Sequence, residues 1–199
     1  MKKALMSLTA AAFLMLPVMA QASTWKIDPD HSSVGFKVRH MMVSNVKGTF
    51  HKFSGTVKVD ENDLAKSSVT ATIETASIDT GVGMRDKDLK SDHFLDVAKY
   101  PTMTFVSTGV AKSGAEGLKV TGNLTLHGVT RTVVLDVEGP SQEVKDPKGN
   151  VRRGASASTK IDRKDFGLTW NKVMEAGGVM VGDEVTISIE VEMVQMAEP

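Results

Sequence analysis

The chain has 199 residues, with 24 Lys and Arg against 24 Asp and Glu, and no cysteine. The even charge leaves no overall basic excess to hold nucleic acid or an anionic membrane. The absence of cysteine excludes disulfides, thiolate metal sites, cysteine nucleophiles and covalent c-type haem.

The N-terminus reads MKKALMSLTAAAFLMLPVMAQASTW. Lys2 and Lys3 precede an apolar run to about Ala20, and Ala20-Gln21-Ala22 offers a small-x-small cleavage site. That order predicts a secretory signal peptide over 1–22 and a mature chain of 23–199. Pro17 breaks the run near its end, and the run is short for a spanning helix. No later segment is apolar enough to span a bilayer as a helix. The mature length suits one domain with a sizeable core.

Period two dominates the rest. Val34, Phe36, Val38 and His40 alternate with Gly35, Lys37 and Arg39. A strand over about 48–60 puts Phe53, Gly55, Val57 and Val59 on one face, and Phe50 out of phase with them predicts a bulge. Val69, Ala71, Ile73 and Thr75 alternate with Thr70, Thr72 and Glu74. Each pattern describes a strand with one dry and one wet face.

The stretch MRDKDLKSDHFLDVAKYP, residues 84–101, interrupts this period. It predicts a short helix near 84–93, with Asp79 or Thr80 as its cap and Pro101 forbidding helix from about Tyr100. Asp92, His93 and Asp96 are spaced to share a helical turn. A zinc site wants more nitrogen or sulfur ligands, and no second histidine is near in sequence, so no metal site is predicted.

Strands resume at about 102–111, with Met103 and Phe105 inward, and at 118–126, with Leu118, Val120, Gly122, Leu124 and Leu126 on one face. Val133, Leu135 and Val137 follow, although Val134 spoils the wet face. Next come Ala155, Ala157, Thr159 and Ile161 in a strand over 153–162, then Val185, Ile187, Ile189, Val191 and Met193. Gly, Pro and Asp in KSGAEG (112–117) and DPKGN (146–150) mark tight turns. Short links between alternating strands mean antiparallel neighbours. About eight such strands predict an all-β domain, either a closed up-and-down barrel or a sandwich.

The predicted inward face is rich in small residues: Ala71, Thr75, Gly122, Ala155, Ala157 and Thr159. Flanked by Phe36, Phe53, Phe105, Leu124 and Leu126, they leave apolar volume. On pattern alone, that volume is either a ligand cavity or is plugged by loops and Trp170. His40 ends an apolar face, where it either meets a ligand head group or bonds to backbone. FGLTWN (166–171), with aromatics four apart, reads either as a cofactor box or, better, as core packing near a barrel end. Five histidines and many serines are available, but no G-x-S-x-G or H-E-x-x-H motif organises them, so no catalytic residue is assigned.

WKIDPDHSSVGFKVRHM, VKGTFHKFSGTV, GNLTLHGVT and the spaced motif RD-x-x-L-x-S-x-x-FLD-x-x-x-YP together resemble the YceI-like family of bacterial periplasmic proteins. The likeness runs from about Trp25 to Val194. It implies an eight-stranded antiparallel up-and-down barrel, lipocalin-like. It also implies binding of a long polyisoprenoid lipid or an isoprenoid quinone in the interior. The role implied is carriage or storage in the periplasm, with no catalysis and no cofactor besides that ligand. With the resemblance, the candidate pocket residues are Phe36, Val38, His40, Phe53, Phe105, Leu124, Leu126 and Trp170. Leu89, Phe94 and Leu95 are expected to face the lumen or its lid, and Arg85 to pair with Asp79. The partners expected are the lipid and, transiently, a membrane or membrane protein. A homodimer is compatible with the sequence, and nucleic acid is not expected. The rival readings are a hydrolase-type enzyme using one histidine and a plugged barrel with a scaffold role in stress.

Overall fold

The computed structural model describes residues 22–114, 117–175 and 177–197. The predicted signal peptide lies almost wholly outside the described residues. Twelve strand segments form one sheet. They are β1 (Ser23–Ile27), β2 (Ser33–His40), β3 (Ser44–Phe50), β4 (Phe53–Val59), β5 (Ser68–Glu74), β6 (Ile78–Asp79), β7 (Thr102–Ser113), β8 (Gly117–Leu126), β9 (Val129–Glu138), β10 (Val144–Lys145), β11 (Val151–Asp162) and β12 (Val181–Gln195). One α-helix, α1 (Gly83–Lys90), follows β6.

The twelve segments resolve into eight long antiparallel staves. β1 and β2 lie end to end along the same edge of β12, pairing Ile27 with Met193 and Ser33 with Glu190. β3 and β4 lie end to end beside them, as do β5 and β6 beside β4 and β3. The order then continues β5, β7, β8, β9, β11 and β12. The β11–β12 ladder, from Arg152–Val194 to Asp162–Glu184, closes the ring. The result is a closed up-and-down barrel in which sequence neighbours are spatial neighbours. Closure pairs most of the strand edges, leaving the short segments β6 and β10 outermost.

The breaks in the first three staves lie side by side. A 3-10 turn at Pro29–His31 separates β1 from β2, and another at Thr75–Ser77 separates β5 from β6. Between them the chain breaks at His51 and Lys52, where His51 N donates to Ser77 O and Glu74 N to Lys52 O. The phase slip between Phe50 and Phe53 is therefore an interruption of the stave. It lets both rings face inward from the two halves of that stave.

Inward positions are apolar and outward ones are mostly Lys, Glu, Thr and Ser, as along Thr186, Ser188 and Glu190 of β12. That is the reverse of a barrel that faces lipid. Among the described residues no helix is long and apolar enough to cross a membrane.

α1 starts one residue before its predicted position, and its cap differs from expectation. Val82 occupies the N-cap and makes no side-chain cap bond. Asp86 instead reaches back to accept from Thr80 N (2.9 Å) and Thr80 Oγ1 (2.5 Å). Arg85 does not pair with Asp79. Its Nε donates to Thr80 Oγ1 at 2.7 Å and its Nη2 to Thr80 O at 2.9 Å, while Asp79 accepts from Gly81 N and faces His51.

Candidate ligand-binding cavity

Inside the barrel is an apolar cavity of about 320 Å³, near the lower end of the small-molecule range. Of the sequence-predicted pocket residues, Phe36 and Val38 of β2, Phe53 of β4, Phe105 of β7 and Leu124 and Leu126 of β8 stand on its wall. Of the small inward residues, Ala71, Ala155, Ala157 and Thr159 also line it, which is where the volume comes from. Leu89, Phe94 and Leu95 reach the wall from α1 and the turn that follows it.

Two glycines set how the aromatic rings lie. Gly48 is the register partner of Phe36, and a Cβ there would sit 2.5 Å from Phe36 Cζ. A Cβ on Gly122 would sit 2.3 Å from Phe105 Cζ and 2.7 Å from Val106 O. Each ring lies down over a bare backbone instead of standing into the lumen. This device stabilises the strand pair and keeps the interior open.

His40 and Trp170 are not on the wall, unlike the other six predicted pocket residues. His40 is the last residue of β2, in regular register with Ser44 of β3. Between the pairs Val38–Val185 and His40–Val181, three residues of β12 oppose the single Arg39, and His40 lies beyond this bulge at the strand end. Trp170 lies outside the strands. It stacks on His93 with ring centroids 5.9 Å apart and tilts against Phe94 at 5.2 Å, covering that end from outside.

Arg163 was not legible as a site residue, because a charged IDRKD turn carries no signal of burial. It is 3% exposed and lines the cavity end. Nε donates to Gly182 O at 2.9 Å, Nη1 to Leu168 O and Trp170 O, and Nη2 to Val181 O and Asp183 Oδ1. These bonds use all five N–H groups of the guanidinium and pin the bulge of β12 to the segment after β11. Burial lowers its pKa, and Asp183 and Asp162 oppose that shift. The arginine is a structural latch with no donor left for a ligand.

The opposite end is closed by Trp25, which is fully buried with Val59 and Met193. The Arg153 guanidinium lies 5.4 Å from the Trp25 ring centre and is paired with Glu61. β1, which carries Trp25, was missed as a strand because its alternation spans only Trp25 and Ile27.

The histidines do not assemble a nucleophile. His31, His51 and His93 face Asp28, Asp79 and Asp88, each at 3.0 Å, and His127 packs on Tyr100. Among the described residues no histidine imidazole is hydrogen-bonded to a hydroxyl. Asp92, His93 and Asp96 do not converge. The cluster that does converge is Asp28, His31 and Glu192. Arg152 Nη1 already fills it, at 2.7 Å from Asp28 Oδ2 and 2.6 Å from Glu192 Oε1. The Arg152 guanidinium, with His31 beside it, holds Asp28 down at about 2. Asp28 in turn raises His31.

Residues 25–193 match the model of the YceI-like domain. The chain belongs to the YceI-like family. A YceI protein of Salmonella newport is 43% identical over 192 residues, covering 96% of this chain and 97% of the relative. A UPF0312 protein of Vibrio cholerae is 41% identical over 84% of this chain and 89% of its own length. Among solved structures, BcnA of Burkholderia cenocepacia superposes with a TM-score of 0.71 at 28% identity, covering 83% of this chain and 98% of BcnA. The Campylobacter jejuni YceI protein gives 0.67 at 34% identity over 81% and 91%. A polyisoprenoid-binding domain from Saccharophagus degradans gives 0.60 at 18% identity over 86% and 98%, a likeness of fold. The YceI-like barrel is thus the setting for every residue described above.

Proposed function

We propose that this YceI-like protein is an exported carrier that holds a long-chain isoprenoid lipid or isoprenoid quinone inside its barrel. The observation that carries this reading is the cavity, whose wall is predominantly aliphatic and aromatic. Its polar side chains are Ser54, Ser67, Ser156 and Thr159, which are small, and Arg163, whose donors are all used. Such a surface recognises a chain without polar groups. Burial of apolar chain contributes about 0.8 kcal/mol per CH₂, so a prenyl tail outweighs its own ordering cost. Family membership supports the reading, and the Saccharophagus domain described as polyisoprenoid-binding shares the fold. The N-terminal pattern supports export to the periplasm.

The test is organic extraction of the folded, detergent-free mature protein followed by mass spectrometry. A prenyl lipid or prenylquinone at near-stoichiometric amount is expected, and its mass gives the chain length. An empty extract would overturn the reading.

A further inference from the structure

The end of the barrel that carries α1 has a surface the cavity does not explain. β2 and β3 meet there in a turn at Met41-Met42-Val43, and all three side chains are exposed, Val43 to 76%. The segment before β12 lies beside it. Met41 N donates to Met180 O at 2.8 Å, and Gly178 packs under both Met42 and Met174. From that segment Val173 projects, 78% exposed. β6 runs toward the same end, so Val82 and Met84 at the start of α1 add to it. Of ten large exposed apolar side chains among the described residues, six gather here.

The backbone marks these residues as chosen for their side chains. Met41 and Met42 have φ of 49° and 61°, and Val43 N bonds to His40 O at 3.1 Å. Positive φ at both central residues is the sign pattern of a type I′ turn, which favours Asn-Gly and is costly for methionine. A second cost lies just behind the tip. Lys37 and Lys47 are direct cross-strand partners on the outer face, where like charges repel. Arg39 stands between them and the tip and donates to Met42 O. Among the described residues neither Lys37, Arg39 nor Lys47 has an ion-pair partner. The nearby acids are otherwise placed: Asp183 faces Arg163 and Lys164, Glu184 faces Lys160, and only Glu175 is left on the same loop.

We propose that this end docks on an anionic lipid bilayer, with Met41, Met42, Val43 and Val173 entering the interface and Lys37, Arg39 and Lys47 meeting the head groups. Arg39 is about 7 Å and Lys37 about 13 Å behind Met41 along the strand, at 3.3 Å per residue. A tip buried by about 5–10 Å brings both within a Debye length of the lipid charge. Exposed apolar tips with a basic collar bind anionic interfaces by both terms together. The docked end is also where Val38, Leu89, Phe94 and Val181 carry the cavity wall outward. The proposal rests on the carrier reading for its purpose: a lipid leaving this end would enter the bilayer without crossing water.

The experiment is co-sedimentation of the mature protein with phosphatidylcholine vesicles, with and without phosphatidylglycerol, alongside extraction of the same samples. Binding to the anionic vesicles alone, weakening with salt, is expected. K37Q/K47Q should bind roughly 30-fold more weakly. M41N/M42G should bind about tenfold or more weakly while melting no lower than the parent, since it relieves the turn. No vesicle binding by protein that carries its lipid would overturn the docking proposal alone. Vesicle binding with empty extracts would overturn the carrier reading and leave docking standing. Binding unchanged in both variants, or a dimer dispersed by M41N/M42G in place of vesicle binding, would overturn the proposal.

Discussion

Arg163 Nε donates to the carbonyl of Gly182 at 2.9 Å, joining the turn after β11 to the bulge that opens β12. The bulge leaves strand carbonyls without ladder partners, and one buried guanidinium takes them. Arg163→Met should therefore destabilise the barrel by about 3–5 kcal/mol, the range for removing a buried, fully bonded charge. Arg163→Lys should recover only part of this, because an ammonium cannot form the planar fork. Urea unfolding of the two variants, compared at constant slope, checks both. A loss under 1 kcal/mol would show the latch to be unimportant.

Gly122 lies under the Phe105 ring, and any side chain there drives the ring off the wall. The neighbouring Val106 carbonyl is backbone and cannot yield. Gly122→Ala is expected to cost about 1–3 kcal/mol by overpacking and to lower the extractable ligand per protein. Unchanged melting together with unchanged ligand content would show that the ring has another place to go.

Ala157 lines the cavity between Ala155 and Thr159 on β11. Ala157→Phe places a ring in the lumen and should abolish bound lipid while the folded spectrum survives. The outward neighbour Ser158→Phe, on the same strand and of the same size, should leave ligand content unchanged. Equal loss in both would mean that the substitution damages β11 and not the cavity.

The Asp28–Arg152–His31 cluster gives stability a defined pH dependence. The folded-state value of Asp28 is depressed to about 2, chiefly by the bond from Arg152. Its contribution is present above the unfolded value of about 3.9 and is lost as pH falls toward 2. His31 is raised by Asp28, so its contribution is complete below about 6.5 and is lost as pH climbs past its raised value. Melting curves should show Arg152→Met with a lower plateau above about pH 4 and a shallower acid limb than the parent, since Asp28 then has less depression to lose. His31→Gln should flatten the neutral-to-alkaline limb. Coincident acid limbs would contradict the Arg152 assignment.

Period-two alternation carried most of the wall: Phe36, Val38, Phe105, Leu124 and Leu126 were visible because each alternates with residues that water can solvate. Even the break at His51–Lys52 was visible as a phase slip between Phe50 and Phe53. The small residues announced space, but not whether that space stays open. The openness depends on Phe36 and Phe105 lying over Gly48 and Gly122, cross-strand contacts between residues 12 and 17 positions apart in sequence. Parity holds to the end of β2 at His40, but it says nothing of where the cavity wall stops, which depends on the partner strands. Arg163 was hidden for the same reason. Its five acceptors are backbone carbonyls and one carboxylate, and most come from a segment almost twenty residues downstream. Alternation along each strand was enough to mark its inward face, because the pleat alternates whatever the neighbours are. The bulge of β12, the closure of each end and the exposure of the Met41–Val43 turn came from the fold alone, because they depend on register between strands distant in sequence.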